Sequence, residues 1–134
     1  ISEDATVPRS QIPAMIDRLH EIKQKYGITL VVFGHAGDGN LHLNIICDER
    51  DTEEMARVEQ AVSEIFSAAI ELGGTLSGEH GIGTMKAPFL AQELGSVGVE
   101  MMKRLKAAWD PNHILNPGKI FPEPGQERLV LRDG

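Results

Sequence analysis

The sequence has little cysteine, few basic residues and no long apolar run. Cys47 is the one cysteine among 134 residues, which excludes an internal disulfide and is compatible with a reducing compartment. Thirteen Lys and Arg residues face 20 Asp and Glu residues, so the formal net charge is -7. This acidic balance argues against nucleic acid as a partner, because phosphate backbones are repelled. Apolar stretches such as residues 30–33 are far too short to span a bilayer, so no transmembrane segment is expected.

What remains is the composition of an ordinary globular domain. The chain is 41% hydrophobic and 25% charged, and at 134 residues it can bury roughly two thirds of its surface on folding. It begins at Ile1 without a methionine, and its first residues are acidic where a signal peptide would be basic. We therefore expect a piece of a larger protein. A cytoplasmic location is also expected, with a position peripheral to the inner membrane as the alternative.

Hydrophobic periodicity predicts alternating strands and helices over the first 77 residues. Short β-branched and apolar runs are typical of strands, and apolar residues at helical spacing predict two helices between them. Ser10 is the candidate N-cap of the first helix and Gly27 its candidate C-cap, and Asp51 or Thr52 is the candidate N-cap of the second. The predicted strands cover residues 5–7, 28–33, 41–46 and 75–77, and the predicted helices cover residues 10–27 and 51–72.

This order of elements, βαββαβ, is that of ferredoxin-like domains, so we predict an α+β fold of this kind. Its sheet has the spatial order 4-1-3-2, in which we expect strands 1 and 3 to be parallel and the other neighbours antiparallel. The glycine-rich segments at residues 34–40 and 78–83 are then expected at one edge of the sheet, together with the N-terminus. Histidines and carboxylates in these segments would meet there.

Additional C-terminal helices are predicted beyond the ferredoxin-like part. One lies near residues 88–94, and the second covers residues 97–109 with Ser96 as its cap. Residues 122–134 are polar and rich in turn formers, which is typical of a loose tail. We assign residues 1–121 to one domain and residues 122–134 to a polar C-terminal tail.

Four residues in and beside the glycine-rich segments are candidates for chemistry. His35 and His42 flank the first segment, and Glu79 and His80 lie in the second. Two imidazoles and one carboxylate can bind a divalent metal and leave positions open for a substrate. Each histidine taken singly is more often a polar side chain satisfied by a turn backbone. The four residues together, on one predicted edge, favour a site.

Other polar residues have two interpretations each. Asn44 shares a strand face with His42, where its amide could bind a substrate or be an ordinary polar strand residue. Lys86 could meet an anionic group or be solvated. His20 and His113 have no partners in the pattern and are interpreted as surface residues.

The residues around these positions resemble those of a known family. Residues 34–42, GHAGDGNLH, resemble the GHxGDGNLH motif of the FAD-linked oxidase C-terminal domain. Residues 77–86, SGEHGIGTMK, resemble its SGEHGIGxxK motif, and residues 110–119, DPNHILNPGK, resemble its DPxxILNPGK ending. The family includes glycolate oxidase flavoprotein subunits, D-lactate dehydrogenases and D-2-hydroxyglutarate dehydrogenases.

The resemblance implies a division of labour between two domains. An upstream PCMH-type domain binds FAD, and the segment seen here caps it and supplies the substrate site. The resemblance implies that His35, His42 and Glu79 bind a divalent metal, with zinc expected, and that His80 is the catalytic base. The remaining implied roles are substrate binding by Asn44 and Lys86, and a position near the flavin for Asn116.

The implied activity is FAD-dependent oxidation of a small D-2-hydroxy acid such as glycolate or D-lactate. The metal would lower the pKa of the substrate hydroxyl, His80 would take its proton, and hydride would pass to the flavin. Arg9 is a weak candidate for holding the substrate carboxylate. An electron-acceptor protein is a further expected partner, and the chain alone is expected to bind no flavin tightly and to be inactive.

Two alternatives remain open for the sequence. One is a stand-alone metal-dependent hydrolase that uses the same His and Glu cluster to activate water. The other is a ferredoxin-like module that binds a ligand or a partner without catalysis.

Overall fold

Three antiparallel strands and two long helices form the first part of the chain. The strands are β1 (Ser2–Thr6), β2 (Thr29–His35) and β3 (Asn40–Ile46), and they lie in the order β1-β3-β2. The computed structural model describes residues 1–121. Its two compact units are Ile1–Gly81 and the part that begins at Ile82. The predicted tail over residues 122–134 lies outside the described residues, and the assignment of residues 1–121 to one domain stays a prediction.

The direction of β1 differs from the expected one. β1 pairs with β3 antiparallel, with Ser2 opposite Asn44 and Thr6 opposite Asn40, so the predicted parallel pairing is wrong. The reason is connectivity: a helical crossover makes β1 and β2 run the same way, and β3 returns from β2 by a hairpin. The N-terminus therefore lies at the end of the sheet opposite the hairpin turn. There the Ile1 ammonium donates to the Ile45 carbonyl at 3.1 Å.

The predicted fourth strand at residues 75–77 is a single bridge. Thr75 and Thr6 exchange backbone hydrogen bonds of 2.8 and 3.2 Å beside β1. Beyond this bridge the chain continues as a loop, in which the backbone N–H groups of residues 78–80 donate to the side chain of Asp4. The α+β class is confirmed, whereas the ferredoxin-like arrangement stays a prediction.

The first helix, α1 (Ile12–Tyr26), follows a 3-10 turn at Arg9–Gln11. It ends at Gly27, whose φ of 61° is the left-handed conformation that the sequence predicted for a C-cap. Ser10 lies inside the 3-10 turn and is not the N-cap, which is Gln11. The end of α1 is therefore set by a local residue, Gly27, whereas no side-chain cap sets its beginning.

The second helix, α2 (Thr52–Glu71), begins as its cap predicts. Asp51 Oδ1 accepts the backbone N–H of Glu53 at 2.9 Å and of Glu54 at 3.0 Å. The Glu54 carboxylate accepts the backbone N–H of Asp48 instead of returning to Asp51, so the N-terminus is stabilised from two sides.

One face of the sheet is buried with the helices, and the outer face carries both polar and apolar residues. Alternation along β3 places one set of side chains in the core and the next on the outer face, as the sequence predicted. On that outer face Val31, Phe33 and Ile46 are 47%, 54% and 62% exposed. The core includes Leu41, Leu43 and Ile45 of β3, Met15, Leu19 and Ile22 of α1, and Val58, Val62, Ile65 and Phe66 of α2.

The second unit contains a 3-10 turn at Ala87–Phe89 and helix α3 (Leu90–Trp109). Gly95 interrupts α3 with φ 68° and ψ 166°, a conformation open essentially to glycine alone. The break agrees with the two helices predicted from the sequence. Among residues 1–121, no helix combines the length and the hydropathy needed to cross a membrane.

Candidate metal centre

Three candidate ligands come together on the outer face of the sheet. His35, His42 and Glu79 each offer one ligand atom, and these atoms all lie within 4.8 Å of one another. Glu79 Oε1 lies 3.2 Å from His42 Nε2, and the two imidazole rings meet edge to face with centroids 5.2 Å apart. His42 is buried, while His35 and Glu79 are exposed. Two side chains are thus accessible to a ligand, and the third is held within the sheet.

The hairpin places the two histidines on adjacent rows of one face. His35 lies opposite Asn40 at the hairpin end, and His42 lies opposite Phe33, two positions further along β3. The His35 carbonyl closes the turn by accepting the N–H of Gly39 at 3.0 Å. Gly39 has φ 82°, and a Cβ there would lie 2.0 Å from the carbonyl oxygen of Val7. Glycine at residue 39 is therefore required for the hairpin to lie against the chain beyond β1.

Asp4 holds the segment that carries Glu79. It is fully buried in β1, opposite His42. Its Oδ2 accepts the backbone N–H of Gly78 and of Glu79 at 2.7 Å each, and of His80 at 3.2 Å. The loop therefore lies along the middle of β1, on the row of His42, and not at the rim where the sequence predicted it.

No role was predicted for Asp4, because the sequence shows this residue only as part of an acidic N-terminus. The sequence does contain an indication of a role for Asp4. A carboxylate in the middle of a buried strand needs hydrogen-bond donors. A glycine-rich loop with unpaired N–H groups is a source of such donors. Neither signal identifies the partner, because the two segments are more than 70 residues apart.

The loop also depends on the absence of a side chain at Gly78. A Cβ at this position would lie 2.4 Å from Thr6 Oγ1 and 2.6 Å from Asn40 Oδ1. Asn40 is buried, and its Oδ1 accepts a hydrogen bond from the Thr6 hydroxyl at 3.2 Å. A side chain at residue 78 would therefore force Thr6, Asn40 or the loop itself to shift.

His80 lies beside the three candidate ligands. Its ring stacks on that of His42, with centroids 5.3 Å apart and an interplanar angle of 28°. Its Nδ1 is 3.6 Å from Asp4 Oδ1, and its Nε2 is 3.9 Å from Glu79 Oε1. The side chain is 39% exposed, so a molecule at the site can reach it.

Asn44 shares the outer face with His42, two residues further along β3. Its Oδ1 is buried and has no hydrogen-bond partner in the described part of the chain. Buried acceptors in proteins are normally paired, so this atom is suited to a ligand donor. The role predicted for Asn44 in substrate binding stays a prediction that this geometry supports.

The donor set suits a divalent cation. Two imidazole nitrogens and a carboxylate oxygen are the protein ligands of many catalytic zinc sites, and they leave positions for water or substrate. A second carboxylate, that of Asp4, lies behind the loop and adds negative charge. The residues present therefore fit a metal ion, although the ligand roles of His35, His42 and Glu79 stay predictions.

The other predicted site residues lie elsewhere in the chain. Arg9 is exposed in the 3-10 turn before α1. Lys86 and Asn116 belong to the second unit, where Lys86 is buried and Asn116 is exposed with φ 48°. Substrate contact by Lys86 and proximity of Asn116 to a flavin stay predictions.

In the third motif, residues 110–119, Asp110 has a structural role that was not predicted from the sequence. Asp110 is buried at the end of α3 and accepts a hydrogen bond from the Lys106 ammonium. Its carboxylate also accepts the backbone N–H of Ile114 and of Leu115 at 3.0 Å each. These donors, with Lys106 first among them, lower the pKa of Asp110 from 3.8 to about 2. This part of the motif therefore closes a turn around an ionised carboxylate.

Comparison with known proteins agrees with the motifs. The family model described as FAD linked oxidases, C-terminal domain, matches residues 1–120. The chain is 56% identical over 130 residues to the glycolate oxidase subunit GlcD of Bacillus subtilis, covering 97% of this chain and 28% of that protein.

D-lactate dehydrogenases are also similar. A probable mitochondrial D-lactate dehydrogenase of Danio rerio is 40% identical over 90% of this chain and 24% of its own length. A D-lactate dehydrogenase of Archaeoglobus fulgidus is 40% identical over 87% of this chain and 26% of its own length. The chain thus spans about a quarter of the curated relatives it matches. With the family model covering nearly all of it, the chain belongs to the FAD linked oxidases, C-terminal domain family.

Proposed function

We propose that this chain is the substrate-binding cap of an FAD-dependent oxidoreductase that oxidises a small D-2-hydroxy acid. The observation that carries the proposal is the meeting of His35, His42 and Glu79 on the open face of the sheet. The names of the relatives support the substrate class, since they are glycolate oxidase subunits and D-lactate dehydrogenases. A ferredoxin-like βαββαβ fold is part of the same proposal, with the Thr6–Thr75 bridge lying where a fourth strand would pair.

His35, His42 and Glu79 are the proposed ligands of a divalent metal, and zinc is the proposed ion. When bound, such an ion fixes a 2-hydroxy acid and lowers the pKa of its hydroxyl group. Buried His42 would supply a ligand held by the strand ladder, and the exposed side chains of His35 and Glu79 would supply the other two.

His80 is the proposed base. Its Nδ1 faces the carboxylate of buried Asp4, so Nε2 is the atom proposed to receive the hydroxyl proton. The stacking of its ring on that of His42 keeps it next to the ligand cluster. Asn44, on the same face, is proposed to hydrogen-bond the substrate through its amide.

The flavin belongs to a part of the protein outside this chain in the proposal. FAD held there would supply the hydride acceptor for the substrate, and Asn116 is the residue proposed to lie near it. An upstream FAD-binding domain and an electron-acceptor protein are the proposed partners. A cytoplasmic location, or one peripheral to the inner membrane, is proposed with them.

Metal titration tests the site directly. Co²⁺ is added to the metal-free chain and its binding is followed by calorimetry and by the visible spectrum. We expect one ion per chain, and we expect His42→Ala to weaken binding at least about 100-fold because one of three protein ligands is lost. His20→Ala is the matched control, since His20 is exposed on α1 away from the candidate ligands.

The proposal fails if the wild-type chain binds no Co²⁺, or if His42→Ala binds it as tightly as His20→Ala. Binding at a different residue set would show as wild-type affinity in both variants.

A further inference from the structure

Asp4 is a charged side chain with no exposure to solvent. Burying a carboxylate costs several kcal/mol unless hydrogen bonds compensate. Residues 77–80 provide such hydrogen bonds: three successive backbone N–H groups at residues 78–80 donate to Oδ2, and the Ser77 hydroxyl lies 3.2 and 3.3 Å from the two oxygens. Asp4 therefore plays the part for this loop that a bound anion plays in a backbone nest.

These hydrogen bonds belong to a cycle of three contacts that links Asp4, Glu79 and His42. The strand ladder sets Asp4 opposite His42, and Asp4 sets the backbone of Glu79 by a 2.7 Å hydrogen bond. The Glu79 carboxylate then returns to His42 Nε2 at 3.2 Å. Because the Thr6–Thr75 bridge lies before this segment, Asp4 supplies the anchoring that a fourth strand would otherwise provide.

A second relation joins Asp4 to the ring of His80. The separation of 3.6 Å between Oδ1 and Nδ1 is longer than a hydrogen bond but within ion-pair distance. A carboxylate at that position favours the ring orientation in which Nδ1 faces Asp4 and Nε2 faces Glu79, 3.9 Å away. The backbone N–H of His80 donates to the same carboxylate, so both ends of the residue are oriented by one group.

We infer that Asp4 is a positioning residue: it holds residues 78–80 so that Glu79 completes the ligand cluster with His42 and His80 lies beside it. The meaning of this arrangement for catalysis rests on the proposed function, but the anchoring itself does not. Removing the carboxylate therefore affects two observables, the order of the loop and the affinity of the site for a cation.

Asp4→Asn is the main test, because it keeps the shape of the side chain and removes its charge. Amide hydrogen exchange of residues 78–80 and Co²⁺ affinity are measured in the 134-residue chain. We expect exchange protection of these amides to fall and Co²⁺ affinity to drop about 10- to 100-fold, as found for groups that orient metal ligands. Glu3→Gln is the matched control, since Glu3 is the neighbouring buried acid on the core-facing side of the same strand.

Glu3→Gln is expected to leave both observables unchanged, even if it lowers global stability. The inference is overturned if Asp4→Asn retains wild-type protection and affinity, or if Glu3→Gln lowers them equally, since that would indicate a general loss of folding. If the wild-type chain binds no Co²⁺, the proposed function fails and amide exchange alone decides the role of Asp4.

Ser77→Ala is the second variant if Asp4→Asn does not fold by circular dichroism. The Ser77 hydroxyl lies at hydrogen-bond distance from Asp4 and accepts the backbone N–H of Gly81 at 2.7 Å. Its loss is expected to weaken Co²⁺ binding about 3- to 10-fold and to reduce protection at residues 78–81. Wild-type values for both in a folded Ser77→Ala variant would overturn the inference.

Discussion

Gly78 illustrates at the scale of one residue what the site requires. Its backbone N–H donates to Asp4 at 2.7 Å while its Cα lies against the side chains of Thr6 and Asn40. The loop meets β1 this closely because nothing projects from residue 78. The hydrogen bonds to Asp4 and the packing against Asn40 therefore depend on each other.

Gly78→Ala is predicted to disturb both the hydrogen bonds to Asp4 and the packing against Asn40. The added methyl group would lie within 2.6 Å of Thr6 Oγ1 and Asn40 Oδ1, so the loop or the asparagine must move. We expect a loss of about 1–3 kcal/mol in the free energy of unfolding, the usual cost of overpacking, and weaker Co²⁺ binding. Denaturant unfolding and metal titration measure the two effects.

Gly37→Ala is the control for the Gly78 variant. Residue 37 lies in the hairpin turn, and a Cβ there would meet nothing within 4 Å. We expect this variant to behave like the wild type. Equal Co²⁺ affinity of the two alanine variants would contradict the account of Gly78.

At the scale of elements, the sequence predicted the ends of helices and the break in α3 better than the pairing of strands. Asp51 caps α2 and Gly27 ends α1, as the sequence indicated, and Gly95 interrupts α3 between the two predicted helices. These features depend on backbone groups a few residues away. The strand predicted over residues 75–77 is a single bridge at Thr75, and the loop that follows is held by Asp4, a residue of β1 far away in the sequence.

The end of α3 is predicted to be sensitive to acid through Asp110. Its pKa is lowered to about 2 in the folded chain, so its stabilising effect is complete above the ordinary value of 3.8 and is lost as the pH falls toward 2. Asp110→Asn should lower the stability of this region near neutral pH and remove that part of its acid dependence. Unfolding curves between about pH 5 and pH 2, followed by fluorescence of the single tryptophan, Trp109, measure it.

Asp17→Asn serves as the control for the charge change at Asp110, because Asp17 is exposed on α1. An Asp110→Asn variant with the same acid profile as wild type at Trp109 would refute the assignment. So would an equal change in Asp17→Asn.

At the scale of the whole molecule, the candidate site includes exposed side chains. It lies on a sheet face where Val31 and Phe33 are about half exposed, and His35 and Glu79 are accessible there. The chain covers about a quarter of its glycolate oxidase and D-lactate dehydrogenase relatives. Ligand binding by this chain and turnover by an assembled flavoenzyme are therefore separate questions.

The chain alone is predicted to oxidise neither glycolate nor D-lactate, because the proposed hydride acceptor is bound by another domain. Dye reduction with either substrate is expected to match the protein-free control, with FAD and Zn²⁺ added. A rate above that control, retained after repurification and lost in His80→Gln, would contradict the proposed division between cap and flavin domain.

The sequence by itself determined the family, the alternation along β3, most helix ends and the identity of the candidate ligands. These follow from motifs and from contacts between near neighbours in the chain. Only the tertiary structure decided that β1 runs antiparallel to β3, that the fourth strand is a single bridge, and that Asp4 holds the loop of Glu79. Those features come from pairing between residues about 35 to 75 positions apart, and the sequence around a carboxylate carries no pattern that identifies its distant partners.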